Sequence, residues 1–308
     1  MRGTKILIGP SSFASLDYAP MEKLLGAGCE VIDNPYKRKL TEEELLELLS
    51  GDINGLIAGL EPLNKRVLTN SKLKIISRCG SGMSNVDQDA ARELGIKVYY
   101  TPYGPTSAVA ELTLGVLLSL LRFISQMNID LHQGKWNKKI GVQLEGKTVV
   151  VVGFGRIGQR FAELLEPFNV NIIIVDPHVG KDFLKFTSLS IKEALPKADI
   201  VSLHCSYEEE IIGEEELSIM KQGVLLLNAS RGGVVNETDL RKYLDSGKVA
   251  GAWLDAFEHE PYYGPLKEYP QVILTPHVGS YTMECRKRME TEAVENLLTG
   301  FQEGENEI

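Results

Sequence analysis

A chain of 308 residues, 43% hydrophobic and 24% charged, has the make-up of a globular protein with room for two domains of ordinary size. Its net charge of −9 argues against non-specific attachment to nucleic acid or to an anionic membrane, and it means that any anionic ligand must be held by local arginine or lysine. The four cysteines (Cys29, Cys79, Cys205, Cys285) form no Cys-x-x-Cys pair and the five histidines are dispersed. No metal site is therefore expected, and the thiols read as reduced ones in a cytoplasmic protein.

The chain opens with Met1 to Lys5 and a short apolar run, Ile6–Ile8, which reads as a first strand and not as a signal peptide. Strand patterns follow at Lys5–Ile8, Glu30–Ile32, Gly55–Ala58, Lys74–Ser77 and Lys97–Tyr99. Helical patterns alternate with them at Met21–Leu25, Thr41–Leu49, Lys65–Thr69 and Gln88–Leu94, and Thr41-Glu42-Glu43-Glu44 is a capping box. Regular alternation of this kind implies a parallel sheet covered on both faces. One long helix is expected from about Thr106 to Gln133; its uncharged run, Leu112–Leu121, is too short to span a bilayer and lies between Glu111 and Arg122.

The most informative stretch runs from Thr148 to Asp176. An apolar strand, Val149–Val152, meets Gly153-Phe154-Gly155-Arg156-Ile157-Gly158, then a helical segment, then a second strand, Ile172–Val175, ending in Asp176. Gly-x-Gly-x-x-Gly alone also marks ordinary turns, but here strand, glycines, helix and terminal acid all fall in place as a dinucleotide-binding fingerprint. Gly153 permits the tight turn, Gly155 lets the backbone approach a pyrophosphate, and Gly158 lets helix and sheet pack closely. The helix opening at Arg156 and Ile157 points free N–H groups and its dipole at the phosphates. Asp176 stands where a carboxylate accepts both ribose hydroxyls and repels a 2′-phosphate, so the expected cofactor is NAD.

Further strands are expected at Ile200–Leu203, Val224–Leu227, Val249–Leu254 and Val272–Leu274, then a last helix, Met283–Leu298, and a polar tail, Gln302–Ile308. The pattern predicts two doubly wound α/β domains. The first is discontinuous, residues 1–99 plus 283–308, and residues 100–282 form the nucleotide-binding domain inserted into it.

Three of those later strands end in chemistry-bearing motifs. The first is Asn228-Ala229-Ser230-Arg231-Gly232-Gly233, whose arginine faces the ligand crevice of an open sheet and can grip a carboxylate with both arms. By itself a surface arginine in a glycine-rich turn is at least as good a reading. The second and third are Trp253-Leu254-Asp255-Ala256-Phe257-Glu258-His259-Glu260-Pro261 and Leu274-Thr275-Pro276-His277-Val278-Gly279-Ser280. Together they offer one cleft an arginine, an acid and a histidine. A histidine beside a carboxylate has a fixed tautomer and suits proton transfer near neutral pH.

With these motifs the chain resembles the D-isomer-specific 2-hydroxyacid dehydrogenase family, and within it the phosphoglycerate branch. The similarity runs from Ser77-Arg78-Cys79-Gly80-Ser81-Gly82-Met83-Ser84-Asn85-Val86-Asp87 through Ser107-Ala108-Val109-Ala110-Glu111-Leu112 to Thr275-Pro276-His277-Val278-Gly279. The resemblance implies a Rossmann NAD-binding domain inserted into a flavodoxin-like substrate domain. It implies that Arg231, Glu260 (the acid before proline, not Glu258) and His277 are catalytic, and that Ser81 and Gly82, with Arg231 and His277, receive the substrate. Asp255 would lie near the nicotinamide carboxamide, with His204, Ala229, His277 and Gly279 also at the cofactor.

There are departures. Gly59 stands where the phosphoglycerate branch often carries a phosphate-binding arginine, leaving Arg78 or Lys138 and Lys139 of a neighbouring subunit as basic substitutes. The family's His-x-Pro-x-Thr stretch is altered to His204-Cys205-Ser206-Tyr207, and no regulatory domain is expected beyond the last helix. The implied activity is oxidation of a D-2-hydroxyacid or reduction of its 2-oxoacid, best matched by 3-phosphoglycerate and 3-phosphohydroxypyruvate. A hydroxypyruvate or glyoxylate reductase remains open, though Asp176 opposes the NADP that many of these prefer. A formate dehydrogenase of the same fold carries glutamine at the position of Glu260. A cofactor-sensing binding protein, like the C-terminal binding protein corepressors, also remains open. A homodimer joined through the Thr106–Gln133 region is implied as well.

Overall fold

Short apolar runs bounded by turns become strands, and charged amphipathic runs become the helices between them. In the computed structural model, which describes residues 3–179, 185–207 and 209–306, the chain divides into two units, Met1–Pro105 with Tyr281–Ile308, and Thr106–Ser280. The sequence pattern puts the crossings a few residues away, after Tyr99 and before Met283.

The first unit contains β1 (Lys5–Ile8), α1 (Ala19–Gly26), β2 (Glu30–Ile32), α2 (Glu42–Leu49), β3 (Ile53–Ala58), α3 (Lys65–Thr69), β4 (Ile75–Arg78), α4 (Gln88–Glu93) and β5 (Lys97–Tyr100). Its five strands are all parallel in the order β2-β1-β3-β4-β5, the flavodoxin-like arrangement. Alternate strand residues face opposite sides: Leu7, Leu56 and Ile76 pack under α2, α3 and α4. The last helix of the chain (Met283–Asn306) covers β3, β4 and β5 on the other face and lies against α1. It runs past the expected end at Leu298, so most of the expected tail is helix; the last two residues of that tail lie outside the described residues. The capping box forms, with Thr41 Oγ1 accepting from the Glu44 amide and Glu44 accepting from the Thr41 amide.

The second unit begins with α5 (Pro105–Leu121) and α6 (Ile124–His132), where one long helix was expected. The two are bent by 67° at Phe123, whose φ is 53°. No Pro or Gly marks the break. Its cause is tertiary: the amide of Val142 takes the Leu121 carbonyl, and the chain crosses so closely that a Cβ on Gly141 would sit 2.5 Å from that oxygen. No single helix among the described residues is long and apolar enough to cross a membrane.

Then come β6 (Thr148–Val152), α7 (Arg156–Leu165), β7 (Asn171–Val175), β8 (Thr187–Ser188), α8 (Ile191–Ala194), β9 (Ile200–Leu203), α9 (Glu214–Ile219), β10 (Val224–Asn228), α10 (Glu237–Asp245), β11 (Val249–Leu254) and β12 (Val272–Leu274), and the closing helix of the first unit is α11. The seven strands are parallel in the order β12-β11-β10-β9-β6-β7-β8. The short edge strand β8 carries no apolar run and was not anticipated. Val150 and Val152 face one core with Leu217 and Leu240, while Val149 and Val151 face another with Leu117, Phe161 and Trp253. Two-sided burial is why these strands read as continuous apolar runs.

His204, just past β9, belongs to that interior. Its side chain is buried against Phe161, with ring centroids 5.1 Å apart, its Nε2 meets Ser202 Oγ at 2.8 Å, and its Nδ1 has no hydrogen-bond partner. The ring therefore lines the core, and a cofactor contact of the kind the resemblance implied falls to the main chain of this residue. Burial pushes its pKa down to about 3, so the fold requires the neutral form. An unfolded histidine titrates near 6.5, so this contribution is intact above pH 6.5 and is lost as pH falls toward 3, with about 2 kcal/mol gone at pH 5. His204→Gln, which keeps a polar partner for Ser202, is expected to lose about 2 kcal/mol less than wild type between pH 7.5 and 5 in urea melts. Equal losses would show that His204 is not held neutral.

Candidate active site

In an open α/β sheet the ligand crevice lies beyond the carboxyl ends of the strands where the strand order reverses. In the second unit that point is between β6 and β9. The loop leaving β6 there is Gly153 to Gly158. Gly153 has φ +87°, and a Cβ on it would meet the Cys205 amide nitrogen at 2.5 Å; a Cβ on Gly158 would lie 2.1 Å from the Gly153 carbonyl oxygen. Both positions admit only glycine, so the turn and the start of α7 are drawn tightly onto the sheet. Above Gly155 the space is open, with no atom within 4 Å of its Cβ position, and α7 begins there with no side-chain cap on its N–H groups. Arg156 is exposed and Ile157 half-buried beside that opening. Asp176, just past β7, accepts from the amide of Phe154 at 2.7 Å and from that of His178 at 2.8 Å, which fixes its carboxylate at the edge of the glycine loop. These features fit a dinucleotide: an uncapped helix start for a pyrophosphate, a clear approach over Gly155, and an acid for a ribose.

The neighbouring strands β10, β11 and β12 end side by side. At the end of β10, Asn228 folds the chain back: its Oδ1 accepts from the Ser230 amide and hydroxyl, and its Nδ2 donates to the Arg231 carbonyl. This turn presents Arg231, half-buried, with its guanidinium donating to the Ser230 carbonyl. The next residue, Gly232, crosses the segment beyond β11 so closely that a Cβ would lie 1.8 Å from the Phe257 carbonyl oxygen. The loop bearing Arg231 is therefore seated on the loop bearing Glu260. Glu260 Oε1 accepts from the Phe257 amide at 3.2 Å and meets His277 Nδ1 at 3.0 Å. Both side chains keep about a third of their surface exposed. With Nδ1 facing the carboxylate, Nε2 is the nitrogen left for other chemistry.

Asp255 lies directly past β11 and is buried. Its Oδ1 accepts from the Thr275 hydroxyl at 2.6 Å and the Val278 amide at 2.9 Å, and its Oδ2 accepts from the Gly279 amide at 2.8 Å. Trp253 Nε1 donates to the same Thr275 hydroxyl at 2.8 Å. Asn228, Trp253 and Thr275 were not singled out in the sequence; each is an unremarkable side chain whose partner is fixed only by strand order. Ala229 joins β9 through its amide, which donates to the Leu203 carbonyl.

Ser81 and Gly82 belong to the first unit, in the loop after β4. There the Gly80 amide donates to Thr101 Oγ1, and Asn85 donates to the carbonyls of Gly59 and Glu61. Gly59 sits over the buried carboxylate of Glu61, whose Oε1 accepts the Gly59 amide at 2.8 Å. Burial pushes the Glu61 carboxyl pKa up. Among the described residues no three histidine, cysteine, aspartate or glutamate side chains gather as a metal site.

Comparison with known proteins agrees with this geometry. Residues 114–279 match the family described as "D-isomer specific 2-hydroxyacid dehydrogenase, NAD binding domain". The chain is 37% identical over 269 residues to a D-3-phosphoglycerate dehydrogenase of Methanocaldococcus jannaschii, covering 84% of this chain but only 51% of that one. It is 38% identical over 234 residues to a hydroxypyruvate reductase of Thermotoga maritima, covering 73% and 76%. The crystal structure of the TT0316 protein from Thermus thermophilus superposes with a TM-score of 0.89 at 32% identity over 97% of each chain. The chain thus spans about half the length of the phosphoglycerate dehydrogenase it matches. The glycine loop, the acid after β7 and the matched NAD-binding domain place this protein in the D-isomer-specific 2-hydroxyacid dehydrogenase family.

Proposed function

We propose that the protein is an NAD-dependent oxidoreductase interconverting a D-2-hydroxyacid and its 2-oxoacid. The observation that carries this reading is the His277–Glu260 pair, seated beside the Arg231 loop. Arg231 holds the substrate carboxylate and polarises the oxygen on C2. In the oxidation direction His277 Nε2 takes the proton of that hydroxyl, and in reduction it returns it. Glu260, on Nδ1, faces the imidazolium that forms. When bound, the nicotinamide supplies the acceptor or donor of the C2 hydrogen with its electron pair.

The resemblance and the phosphoglycerate dehydrogenase relative support 3-phosphoglycerate as substrate. A specific observation favours the other reading, an unphosphorylated acid such as hydroxypyruvate or glyoxylate. Where a phosphate-binding arginine is expected by resemblance, Gly59 overlies the Glu61 carboxylate. A charge-assisted bond of the missing kind is worth roughly 1.5–3 kcal/mol.

A second copy of the chain is part of the same reading. The segment from α6 to β6 exposes Ile124, Ile129, Leu131, Trp136 (78% exposed), Ile140 (96%) and Val142. It borders a cleft lined by Leu120, Phe123, Ile200 and Ile273 at the amino-terminal ends of the second sheet's strands, away from the Arg231 loop. So much contiguous exposed apolar surface suits burial against a partner.

Steady-state assays with NADH and a panel of 2-oxoacids test the proposal. His277→Ala is expected to lower kcat by roughly 10²–10⁴, and hydroxypyruvate is expected to have a higher kcat/KM than 3-phosphohydroxypyruvate. Near-full activity in His277→Ala would reject the assignment. A preference for the phosphorylated acid that Lys138→Ala/Lys139→Ala abolishes would restore the phosphoglycerate reading. NADH is expected to exceed NADPH in kcat/KM by about tenfold, or ~1.4 kcal/mol, with Asp176→Ala eroding the difference; equal values in wild type would sink the role given to Asp176. Light scattering is expected to give twice the 34.1 kDa chain mass for wild type and the single mass for Ile140→Asp, and a monomeric wild type would refute the dimer.

A further inference from the structure

We infer that Glu237 is a positioning residue for Glu260, pinning the loop that brings the Glu260 carboxylate to His277. The inference deepens the proposed function and rests on its reading of the His277–Glu260 pair. Glu237 is the first residue of α10, where an acid ordinarily faces solvent or takes an amide of its own helix. Here that work is done by Asn236, whose Oδ1 accepts from the Asp239 amide at 3.0 Å. The Glu237 carboxylate serves a partner 21 residues away instead: its Oε1 accepts from the amide of Glu258 at 3.1 Å. Glu258 adjoins Phe257, whose own amide donates to Glu260 Oε1. Two consecutive amides of one loop are therefore held by two carboxylates, the first by Glu260 and the second by Glu237.

Both ends of this contact are anchored. On the α10 side, Val235 and Leu240 are buried around Glu237, and the Asn236 amide donates to the Ile212 carbonyl. On the loop side, a Cβ on Gly232 would fall 2.7 Å from the Glu258 nitrogen, so the chain that leads into α10 already lies against the residue that Glu237 holds. Beyond Glu260 the loop turns back. The ring of Tyr262 stacks on Phe257, with centroids 4.3 Å apart and planes 23° from parallel. Its hydroxyl accepts from the amide of buried Leu266 at 3.1 Å and stands beside the Glu237 carboxylate. Glu260 thus sits between two fixed points, Phe257–Glu258 before it and Tyr262 after it. Without Glu237 the stack remains, but the hold on the residue two places before the acid is lost.

The Glu258 amide asks for an acceptor and not for a charge, so Glu237→Gln keeps the brace and Glu237→Ala removes it. Glu237→Gln is expected to hold kcat for the best 2-oxoacid within about threefold of wild type, and Glu237→Ala to lower it about tenfold. KM and the NADH dissociation constant, read from NADH fluorescence, are expected to stay within about threefold of wild type in both. In a Glu260→Ala background, adding Glu237→Ala is expected to cost less than about twofold, since the carboxylate it positions is already gone. A further loss of about tenfold in that background would overturn the inference, because Glu237 would then act by another route. So would an unchanged kcat with a lowered melting temperature, the mark of a merely structural residue. A readout independent of turnover separates this inference from the proposed function. In ¹⁵N-histidine-labelled protein, the His277 ring resonances, assigned by their loss in His277→Gln, are expected to move in Glu237→Ala in the direction they move in Glu260→Ala, and to keep their wild-type positions in Glu237→Gln. Such a shift in a protein that reduces no 2-oxoacid would uphold the brace and reject the activity; no shift would reject the brace whatever the activity. If Glu237→Ala fails to fold, Glu237→Met, which fills the same space without the carboxyl oxygens, carries the same expectations.

Discussion

The 3.0 Å contact between His277 Nδ1 and the Glu260 carboxylate joins two loops that leave different strands, and it holds only if both loops are immobile. The parallel sheet provides that immobility at its root. Because β10, β11 and β12 are adjacent and run the same way, the loops that carry Arg231, Glu260 and His277 all leave the same end of the sheet. The loops are then fixed to one another, Gly232 against the Phe257 carbonyl and Thr275, Val278 and Gly279 against Asp255. The proton transfer proposed here tolerates displacements of only a fraction of an ångström, and cross-bracing of this kind is what a site made of loops requires for it.

At the same sheet end the glycine loop Gly153–Gly158 fits a nucleotide by a different device, main chain in place of side chains, and so the requirement falls on what is missing there. A Cβ at Gly153 or Gly158 would collide with main-chain atoms of Cys205 or Gly153. The crowding draws α7 down until its open end faces the crevice. On the far side of the loop, Asp176 is pinned by the Phe154 amide. One carboxylate thereby braces the glycine turn, at the position where the proposed function puts a ribose.

Much of this is legible in the sequence because burial on both faces writes strands as apolar runs. Val149–Val152, Ile200–Leu203 and Val249–Leu254 needed no partner to be recognised. What stayed hidden depends on residues distant in the chain. The bend at Phe123 arises because Val142 claims the Leu121 carbonyl, and neither residue is a helix breaker. The partners of Asp255 at Thr275, Val278 and Gly279 are brought to it by the pairing of β11 with β12 and are not legible from its place at a strand end. Thr187–Ser188 is a strand by pairing alone, with nothing apolar to announce it.

His204 and His277 show how far environment outweighs residue type. Each follows a strand end in the same sheet. His204 turns inward onto Phe161, with a neutral hydroxyl on one nitrogen and nothing on the other, so its charged form is expelled down to about pH 3. Its ring packs as part of the core. His277 has a carboxylate on Nδ1, a third of its surface open, and a backbone conformation fixed from both sides. The proton-transfer role proposed for His277 asks for one ring nitrogen offered in a constant direction. Glu260 on Nδ1 and the braced loop meet that requirement, whereas the ring of His204 is turned into the core, so the two histidines are told apart by the surroundings that their loops create and not by the presence of an imidazole.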